Sequence, residues 1–455
     1  MYVTRVRLTD IKGFSGRRAI DLRLPGRGGW TVLAGRNGSG KSTLLQTIAL
    51  ALCGPQTALA LNAGMTGMVT RDADSGQVVV DVRVDPQADE FPDLEAAGGP
   101  PEELRLALMW KALLAKPGWG RRPTSMLAPG FSEPETQAIA SGPWSAAAPG
   151  WFCAGYGPFR RLSGGLASGY ARHELVASHL ATLFHEDAAL GESVGWVIDL
   201  HHRSLQEDAD NSTEPGPAGR LLNIVLSLLS DGLMPNDLQV NGVSADGLWV
   251  STSDDEIGFP LREMSDGYRT VAALVLDITR HIHAAYGELE TYQEDGGHVV
   301  ILQPGVVLID EVDTHLHVTW QRRIGDWLRE HFPNIQFIVS SHSPYVCQAA
   351  DENALIRLPG PDEDEPPAVV DSDLYRRVVF GSADDAVLSE LFGLDTPYSS
   401  RAEEYRRRLV ALERRVYAGT ASDQEVAEYQ ELSRLLTSSV QSRVAEVAAR
   451  LEPEQ

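Results

Sequence analysis

The sequence predicts an α/β protein built around a mixed or mainly parallel sheet, and three observations lead to this class. A strand at 30–34 runs into a glycine-rich loop, which is followed by an apolar helix beginning near Thr43. A fully apolar run at 305–309 and a second predicted buried strand at 335–339 are separated by an amphipathic helical segment at 319–331. Continuous apolar strands that alternate with helices are typical of parallel sheets covered on both faces.

Composition and charge limit the classes of protein that the sequence can represent. The chain has 455 residues, 43% of them hydrophobic, so we expect a large buried core in two or three domains. No apolar run approaches ~18 residues and the N-terminus lacks a signal-peptide pattern, which predicts a cytoplasmic protein without a membrane span. The net charge of −24 disfavours extensive nonspecific binding of nucleic acid, which would need a local basic groove or a complex. Three widely separated cysteines (Cys53, Cys153 and Cys347) indicate neither a disulfide framework nor a metal site.

Residues 1–165 are predicted to form the first part of the α/β domain. Alternating apolar and polar residues indicate half-buried strands at 3–8, 20–24 and 77–84. Residues 100–150 are rich in Pro, Gly and Ala, and we interpret them as an irregular insertion. A buried strand is predicted at 152–156.

The middle of the chain, 166–254, is predicted to be a short helical insertion that ends in a hairpin. Helical periodicity covers 173–207 and 220–230, and two turn dipeptides within 238–251 indicate paired strands. Residues 255–358 are then predicted to complete the α/β domain.

The C-terminal tail, 371–455, is predicted to follow an acidic, Pro-rich linker at 360–370. Apolar residues repeat at helical spacing in two segments, and Ser422 with Glu425 has the form of a capping box at the start of the second. The tail is therefore predicted to be a helical hairpin that is available for docking a partner.

A complete P-loop motif, G-x-x-x-x-G-K-S, occupies 35–42 between the predicted strand and helix. Backbone N–H groups of such a loop surround a β-phosphate, and the helix N-terminus favours its negative charge. Lys41 is expected to reach the β- and γ-phosphates, and Ser42 to supply its hydroxyl to Mg²⁺. The other residues expected to line the cradle are Asn37, Gly38, Gly40 and Thr43. The motif predicts an ATP site.

Two acids follow the apolar strand at 305–309, as in a Walker B motif. Asp310 is expected to hold Mg²⁺ through its water shell, and Glu311 to act as the general base that polarises the attacking water. This pair predicts an ATPase that hydrolyses its nucleotide.

Residues 264–268 (Met-Ser-Asp-Gly-Tyr) precede an apolar helix and resemble the signature motif of ABC ATPases. In that motif Ser and Gly at a helix N-terminus contact the γ-phosphate held by the opposite protomer, which implies this role for Ser265 and Gly267. The alternative is an ordinary helix N-cap formed by Ser265.

Polar residues after the strands at 305–309 and 335–339 complete the candidate site. His342 resembles the switch histidine of ABC ATPases, which senses the γ-phosphate; an unrelated loop histidine is the alternative. Residues 313–317 (Asp-Thr-His-Leu-His) are interpreted as a D-loop that crosses a dimer interface, with Asp313 near the partner's P-loop, rather than as a metal site. Arg160 or Arg161 either reaches phosphate or is a solvated turn residue.

These motifs resemble the ABC-class ATPases of the SMC/RecF/OLD superfamily over residues 1–54 and 257–346. The opening stretch 8–14 (Leu-Thr-Asp-Ile-Lys-Gly-Phe) is similar to the start of RecF- and SMC-like heads. Residues 310–317 are similar to the OLD pattern, from which the sequence departs where Val312, Asp313 and Val318 replace Pro, Glu and Pro. The resemblance implies an ATPase head that sandwiches ATP in a homodimer or higher even oligomer.

Within that superfamily the chain is most similar to stand-alone ATPases of bacterial anti-phage systems, of the Septu and retron-associated type. The similar features are residues 261–268 followed by Asp277, Tyr156-Gly157, and the tail stretch 382–388. The resemblance implies a separate effector, such as an HNH nuclease, because no nuclease motif is evident in this chain. The alternatives are a RecF- or SMC-like DNA-repair ATPase that senses DNA, a nucleotide-gated scaffold, and a transporter subunit.

Overall fold

The structure is a computed structural model, and the residues it describes are 1–61, 67–91, 102–112, 125–130, 139–145, 148–160, 178–209, 215–234, 238–245, 247–252, 258–293 and 298–436. The chain divides into two compact units, Met1–Ala386 and Val387–Gln455. Arg161 lies outside the described residues, as does the end of the tail beyond residue 436.

The strands and helices are numbered in chain order. The strands are β1 (Tyr2–Thr9), β2 (Ile20–Arg23), β3 (Gly29–Ala34), β4 (Ser75–Arg83), β5 (Glu103–Ala112), β6 (Ser125–Pro129), β7 (Cys153–Tyr156), β8 (Gln239–Ser244), β9 (Gly247–Ser251), β10 (Phe259–Pro260), β11 (Thr291–Gln293), β12 (Val299–Ile301), β13 (Gly305–Ile309), β14 (Ile335–Ser341), β15 (Leu355–Arg357) and β16 (Ala368–Val369). The helices are α1 (Lys41–Ala60), α2 (Ala181–Phe184), α3 (Gly191–Ala209), α4 (Pro217–Ser230), α5 (Asp266–Tyr286), α6 (Val318–His331), α7 (Pro344–Cys347), α8 (Ser372–Val379), α9 (Ala383–Val387), α10 (Ser400–Tyr417) and α11 (Asp423–Leu435).

Two sheets form the body of the first unit. A six-stranded sheet has the order β16-β15-β3-β14-β13-β7, and its strands are parallel except for β16. The second sheet is antiparallel and has the order β2-β1-β4-β5-β6. The predicted parallel arrangement of the apolar strands is confirmed, because β3, β13 and β14 lie side by side in one direction.

Helix α1 supplies apolar side chains to a core that both sheets share. Leu44, Leu45 and Ile48 are buried with residues of both sheets in this core. Among the described residues, α1 alone is long and apolar enough to span a membrane, and 61% of its apolar 18-residue stretch is buried inside the protein. The helix kinks at Gly54, which has a positive φ of 84°. Pro55 has no N–H to bond the carbonyl of Ala51, and the indole of Trp144 donates to that carbonyl instead, at 2.9 Å.

The prediction of an irregular insertion over 100–150 is wrong for its first part. Strand β5 pairs with β4 from Glu103 to Lys111, and β6 pairs with β5. Leu106, Leu108 and Trp110 alternate along β5 and are fully buried, as the period of a half-buried strand requires. The Pro- and Gly-rich residues on either side obscured this pattern in the sequence.

The helical insertion has the predicted elements. Helices α3 and α4 pack against one another, and β8 and β9 form the predicted hairpin. The helix predicted over 173–207 corresponds, where described, to two helices, α2 and α3, separated by 185–190.

The boundary of the tail differs from the prediction. Helix α8 belongs to the first unit, where Leu374 and Val378 are buried and Tyr375 donates to the carbonyl of Ala350 at 2.9 Å. The linker predicted at 360–370 also includes β16, which pairs with β15. Sequence periodicity alone could not show that the amphipathic face of α8 is covered.

The second unit contains the predicted helical hairpin, formed by α10 and α11. Arg408 of α10 makes a bidentate ion pair with Glu428 of α11, at 2.8 and 2.7 Å. The capping box at Ser422 and Glu425 is confirmed at the start of α11.

Candidate functional site

A pocket of about 370 Å³ lies at the carboxyl ends of the parallel strands β3, β13 and β14. This is the edge of a parallel α/β sheet where ligands bind. The lining residues are Lys12, Gly13, Phe14, Arg18, Asn37, Gly38, Ser39, Gly40, Lys41, Ser42, Thr43, Glu311 and His342. The structure therefore brings the predicted P-loop residues together with Glu311 and His342.

The P-loop backbone needs glycine at two positions. Gly38 and Gly40 have φ values of 79° and 99°, in a region that other residues rarely adopt. A Cβ atom on Gly40 would also lie 2.4 Å from the ring of Phe14. The loop thus exposes backbone N–H groups at the start of α1, where the helix dipole favours an anion.

Lys41 is held over the P-loop by the loop's own carbonyls. Its Nζ donates to Gly35 O at 2.8 Å and to Arg36 O at 3.2 Å. Burial lowers the pKa of Lys41, while the charges of Asp310 and Glu311 act in the opposite direction. The hydroxyl of Ser39 is buried and has no hydrogen-bond partner in the structure. A cradle of backbone N–H groups with an ammonium group and an unpaired buried hydroxyl fits a phosphate group.

Asp310 and Glu311 follow β13 and are connected through one serine. Ser340 at the end of β14 is fully buried, donates its hydroxyl to Asp310 Oδ1 and accepts the backbone N–H of Glu311 at 2.7 Å. Glu311 has a positive φ of 46°, and its Oε2 accepts a hydrogen bond from Thr314 at 3.1 Å. Its side chain is thereby oriented at the wall of the pocket.

Arg160 stabilises the same turn from behind and does not line the pocket. It is only 2% exposed; Nη1 donates to Gly157 O and Asp310 O, and Nη2 donates to Glu311 O and Val312 O. Burial lowers the pKa of Arg160 to about 10, so the guanidinium is charged at neutral pH. The interpretation of Arg160 as a phosphate ligand or a solvated turn residue is therefore wrong, because the side chain is buried and both terminal nitrogens donate to backbone carbonyls.

His342 and Asp313 are linked by a short polar network. Asp313 Oδ1 accepts from the Ser341 hydroxyl at 2.6 Å and from the His342 backbone N–H at 3.4 Å. The pKa of His342 is lowered first by burial and then by the nearby charge of Lys41, which favours a neutral imidazole. A neutral imidazole at the pocket wall can donate or accept one hydrogen bond.

The signature residues Ser265 and Gly267 lie at the N-terminus of α5, outside the lining of the pocket. A Cβ on Gly267 would lie 2.8 Å from the carbonyl of His315, so this segment borders the predicted D-loop. Ser265 is exposed and occupies the N-cap position, but its side chain makes no capping hydrogen bond. Ser265 is therefore the N-cap residue of α5, as the alternative stated, although its hydroxyl makes no capping hydrogen bond.

The D-loop histidines take part in local structure. His317 caps α6, accepting from the backbone N–H of Thr319. In the described part of the chain, neither His315 nor His317 belongs to a cluster of metal-ligand side chains.

Five residues that line the pocket were not predicted from the sequence: Ser39 within the P-loop, and Lys12, Gly13, Phe14 and Arg18. Lys12, Phe14 and Arg18 reach it from the segment after β1. Arg18 donates to Glu363 O at 2.9 Å and to Pro359 O at 3.1 Å, which joins this segment to the loop after β15. The similarity of 8–14 to RecF- and SMC-like heads was the available signal, but the similarity did not assign these side chains to the pocket.

Asp277 in the middle of α5 is the centre of a buried polar network. It accepts hydrogen bonds from Tyr156 at 3.0 Å, Ser193 at 2.6 Å and Arg280 at 3.0 Å, and lies 3.2 Å from His281. Burial would raise its pKa, but the charge and hydrogen bond of His281 and the charge of Arg280 hold the pKa well below its ordinary value. Tyr156 and Asp277, two features of the sequence resemblance, thus meet in one contact that joins the helix after the signature to β7.

A P-loop before α1, paired acids after β13, a histidine after β14 and the predicted signature segment before α5 are arranged as in α/β ATPase heads of the ABC/SMC type. Comparisons with known proteins give two family matches and several relatives. Residues 5–89 match a family described as "AAA domain", and residues 198–348 match one described as "AAA domain, putative AbiEii toxin, Type IV TA system".

The chain is similar over part of its length to the Septu protein PtuA and to a retron probable ATPase. It is 31% identical over 210 residues to the Septu protein PtuA of Bacillus thuringiensis, covering 44% of this chain and 47% of that protein. It is 31% identical over 157 residues to the retron Ec83 probable ATPase of Escherichia coli, covering 33% and 26% of the two chains. The chain therefore matches less than half the length of these relatives. A solved SMC head bound to the C-winged helix domain of ScpA aligns with a TM-score of 0.46 at 14% identity, covering 81% of this chain and 98% of that one.

Proposed function

We propose that the chain binds ATP with Mg²⁺ and hydrolyses it in a site that a second copy of the head completes. One observation carries this proposal. The pocket is lined by the P-loop, Glu311 and His342, whereas the exposed Ser265 and the adjacent Gly267 lie outside its lining, next to the D-loop. A signature segment placed in this way is available to the nucleotide of another head.

The residues of the pocket have distinct roles in this proposal. Lys41 and the backbone N–H groups of 37–43 bind the β- and γ-phosphates. Ser42 and Asp310 would hold Mg²⁺, which neutralises phosphate charge when it is bound. Glu311 orients the attacking water and accepts its proton, and His342 hydrogen-bonds the γ-phosphate.

A mixing experiment tests whether the site is composite. Lys41→Ala removes the phosphate contact of one head, and Ser265→Arg blocks the signature that a head offers to its partner. Each variant alone should lose at least ~100-fold in ATP hydrolysis. A mixed dimer would contain one doubly defective site and one intact site, so mixing the variants should restore part of the activity. If the mixture stays inactive while wild-type heads mixed in the same way are active, the composite site is refuted.

A second experiment tests the general base. Glu311→Gln should bind ATP, accumulate as a dimer and hydrolyse at least ~100-fold more slowly than the wild type. Glu352 is an exposed acid that does not line the pocket, so Glu352→Gln is the matched control and should behave as the wild type. Wild-type hydrolysis by Glu311→Gln would refute the role of Glu311, and an ATP-bound monomer would refute the dimer.

We further propose that the head regulates a separate effector in bacterial anti-phage defence, with a nuclease of the HNH type as the expected class. The similarity to Septu and retron ATPases supports this. The second unit is the proposed docking region, because its described helices α10 and α11 bury a single side chain, Leu412. Co-purification with ATP from the native operon should recover a stoichiometric nuclease. Recovery of the chain alone, with hydrolysis stimulated by DNA, would favour the DNA-sensing alternative instead.

A further inference from the structure

Asp231, His298 and His331 come together outside the nucleotide pocket, from three separate segments. Asp231 is the C-cap of α4 in the insertion, His298 immediately precedes β12, and His331 is the last residue of α6. One ligand atom from each residue lies within 4.8 Å of the others. The cluster therefore connects the insertion to the helix that follows the D-loop.

Both histidines direct a ring nitrogen at the same carboxylate oxygen. His298 Nδ1 lies 2.6 Å from Asp231 Oδ2, and His331 Nε2 lies 3.2 Å from it. The two imidazole rings are 4.4 Å apart between centroids. Such convergence on one oxygen places three potential ligands around a common point.

The hydrogen bond on the far side of His331 fixes which nitrogen carries its proton. His331 Nδ1 lies 2.9 Å from the carbonyl of Trp327 and must donate to it, because a carbonyl oxygen only accepts. The neutral ring then presents the lone pair of Nε2 to the Asp231 carboxylate. Two electron-rich atoms facing each other at this distance repel unless a cation, either a proton on Nε2 or a metal ion bound by both atoms, neutralises them. Anchoring of the other ring nitrogen by a backbone carbonyl is also how metal-bound histidines are commonly held.

Trp327 contacts two residues of the cluster, His331 and Asp231. Its indole ring stacks on His331 at 3.9 Å, and its Nε1 donates to the backbone carbonyl of Asp231 at 2.7 Å. Arg323 brings a positive charge to the same turn, but its guanidinium donates to the carbonyl of Gly232 at 3.3 Å. Asp231 and His331 are thus held by contacts that do not use their converging atoms.

We propose that Asp231, His298 and His331 bind one divalent first-row transition ion of the Zn²⁺ type. Two imidazoles and one carboxylate are a ligand set of such ions. The side chains of Asp231 and His298 are 34% and 28% exposed, which leaves access for the ion and for a water as a further ligand. The bound ion would connect the end of α4 to the end of α6, and this proposal does not depend on ATP hydrolysis.

Metal binding to the full chain tests the proposal. After chelator treatment and dialysis, the wild type should bind one Zn²⁺ per chain in competition with a chromophoric chelator. His298→Ala and Asp231→Asn should weaken binding at least tenfold, whereas His202→Ala, an exposed histidine outside the cluster, should not. Equal affinity in all four proteins would overturn the proposal, and circular dichroism shows whether each variant is folded.

A spectroscopic measurement on the wild type keeps the test independent of the variants. X-ray absorption of the zinc complex should show nitrogen and oxygen ligands, including imidazole. Sulfur ligands would place the ion near Cys53 and Cys153 and overturn the assignment. Absence of any tight Zn²⁺ binding would show that the cluster is an ordinary hydrogen-bonded Asp–His group.

Discussion

Replacing Arg160 by lysine separates the charge of this residue from its hydrogen-bond geometry. Each terminal nitrogen of the guanidinium serves two carbonyls, so a lysine nitrogen placed at either position keeps the two hydrogen bonds of that position and loses the other two. A hydrogen bond to a charged group contributes about 1.5–3 kcal/mol, so the loss of two costs about 3–6 kcal/mol. With an unfolding entropy of about 2.1 cal/mol/K per residue, this lowers the Tm of the unit Met1–Ala386 by roughly 4–7 °C.

The same change should reduce catalysis more than binding. Arg160 holds the carbonyls of Asp310 and Glu311 but does not line the pocket, which makes it a positioning residue. Displacement of Glu311, the proposed general base, by about 1 Å can cost about 100-fold in rate. We therefore expect kcat to fall about 10–100-fold while the Kd for ATP changes less than about 3-fold.

Phosphate release measures kcat, nucleotide titration measures the Kd for ATP, and thermal unfolding measures the Tm. Arg329→Lys is the matched control. Like Arg160, Arg329 donates through both terminal nitrogens, in its case to the carboxylates of Asp351 and Asp326. Arg329 belongs to α6 and does not line the pocket. Its kcat should stay at the wild-type value. The reasoning fails if Arg160→Lys keeps the wild-type Tm and kcat, or if Kd rises as much as kcat falls, since the latter would mean direct contact with nucleotide.

Three further predictions concern the buried network and the P-loop. Tyr156→Phe removes one hydrogen bond to the buried Asp277 carboxylate and should lower the Tm by roughly 2–4 °C. Because the folded-state pKa of Asp277 is depressed, its charge stabilises the fold above about pH 4 and this contribution is lost as the pH falls below that value. The wild type should thus exceed Asp277→Asn in stability at pH 7, by a margin that shrinks between about pH 5 and 2 in denaturant titrations; a constant margin would contradict a charged Asp277. Gly40→Ala should weaken ATP binding at least ~10-fold, because of its positive φ and the contact with Phe14, whereas Gly195→Ala, with open space around its Cβ, should not.

Local motifs were sufficient to predict the centre of the candidate site. The P-loop and the acids after β13 can be read from the sequence because each depends on contiguous residues in a strand–turn–helix context. Parallel strands then bring Glu311 and His342 to the same sheet edge as Lys41 without further information. The parallel arrangement of the apolar strands and the two-helix tail were predicted from the pattern of apolar residues along the chain.

The remaining contacts depend on residues that are far apart in the chain. Arg160 donates to carbonyls 150 to 152 residues away, and Arg18 donates to carbonyls more than 340 residues away. Neither a lone arginine nor a backbone carbonyl has a sequence pattern that reveals such a partner. Strand β5 was missed for a different reason, since its alternation is flanked by residues typical of loops.

The network around Asp277 also has a consequence for the rate at which the protein unfolds. Its contacts with Tyr156 and Ser193 span 121 and 84 residues, so they form only after long stretches of chain have been closed. Contacts of this kind are expected to form after the folding transition state, and their loss then accelerates unfolding more than it slows folding. The Asp277 network should therefore determine how long the folded head persists, and weakening it should shorten that lifetime while refolding stays nearly as fast.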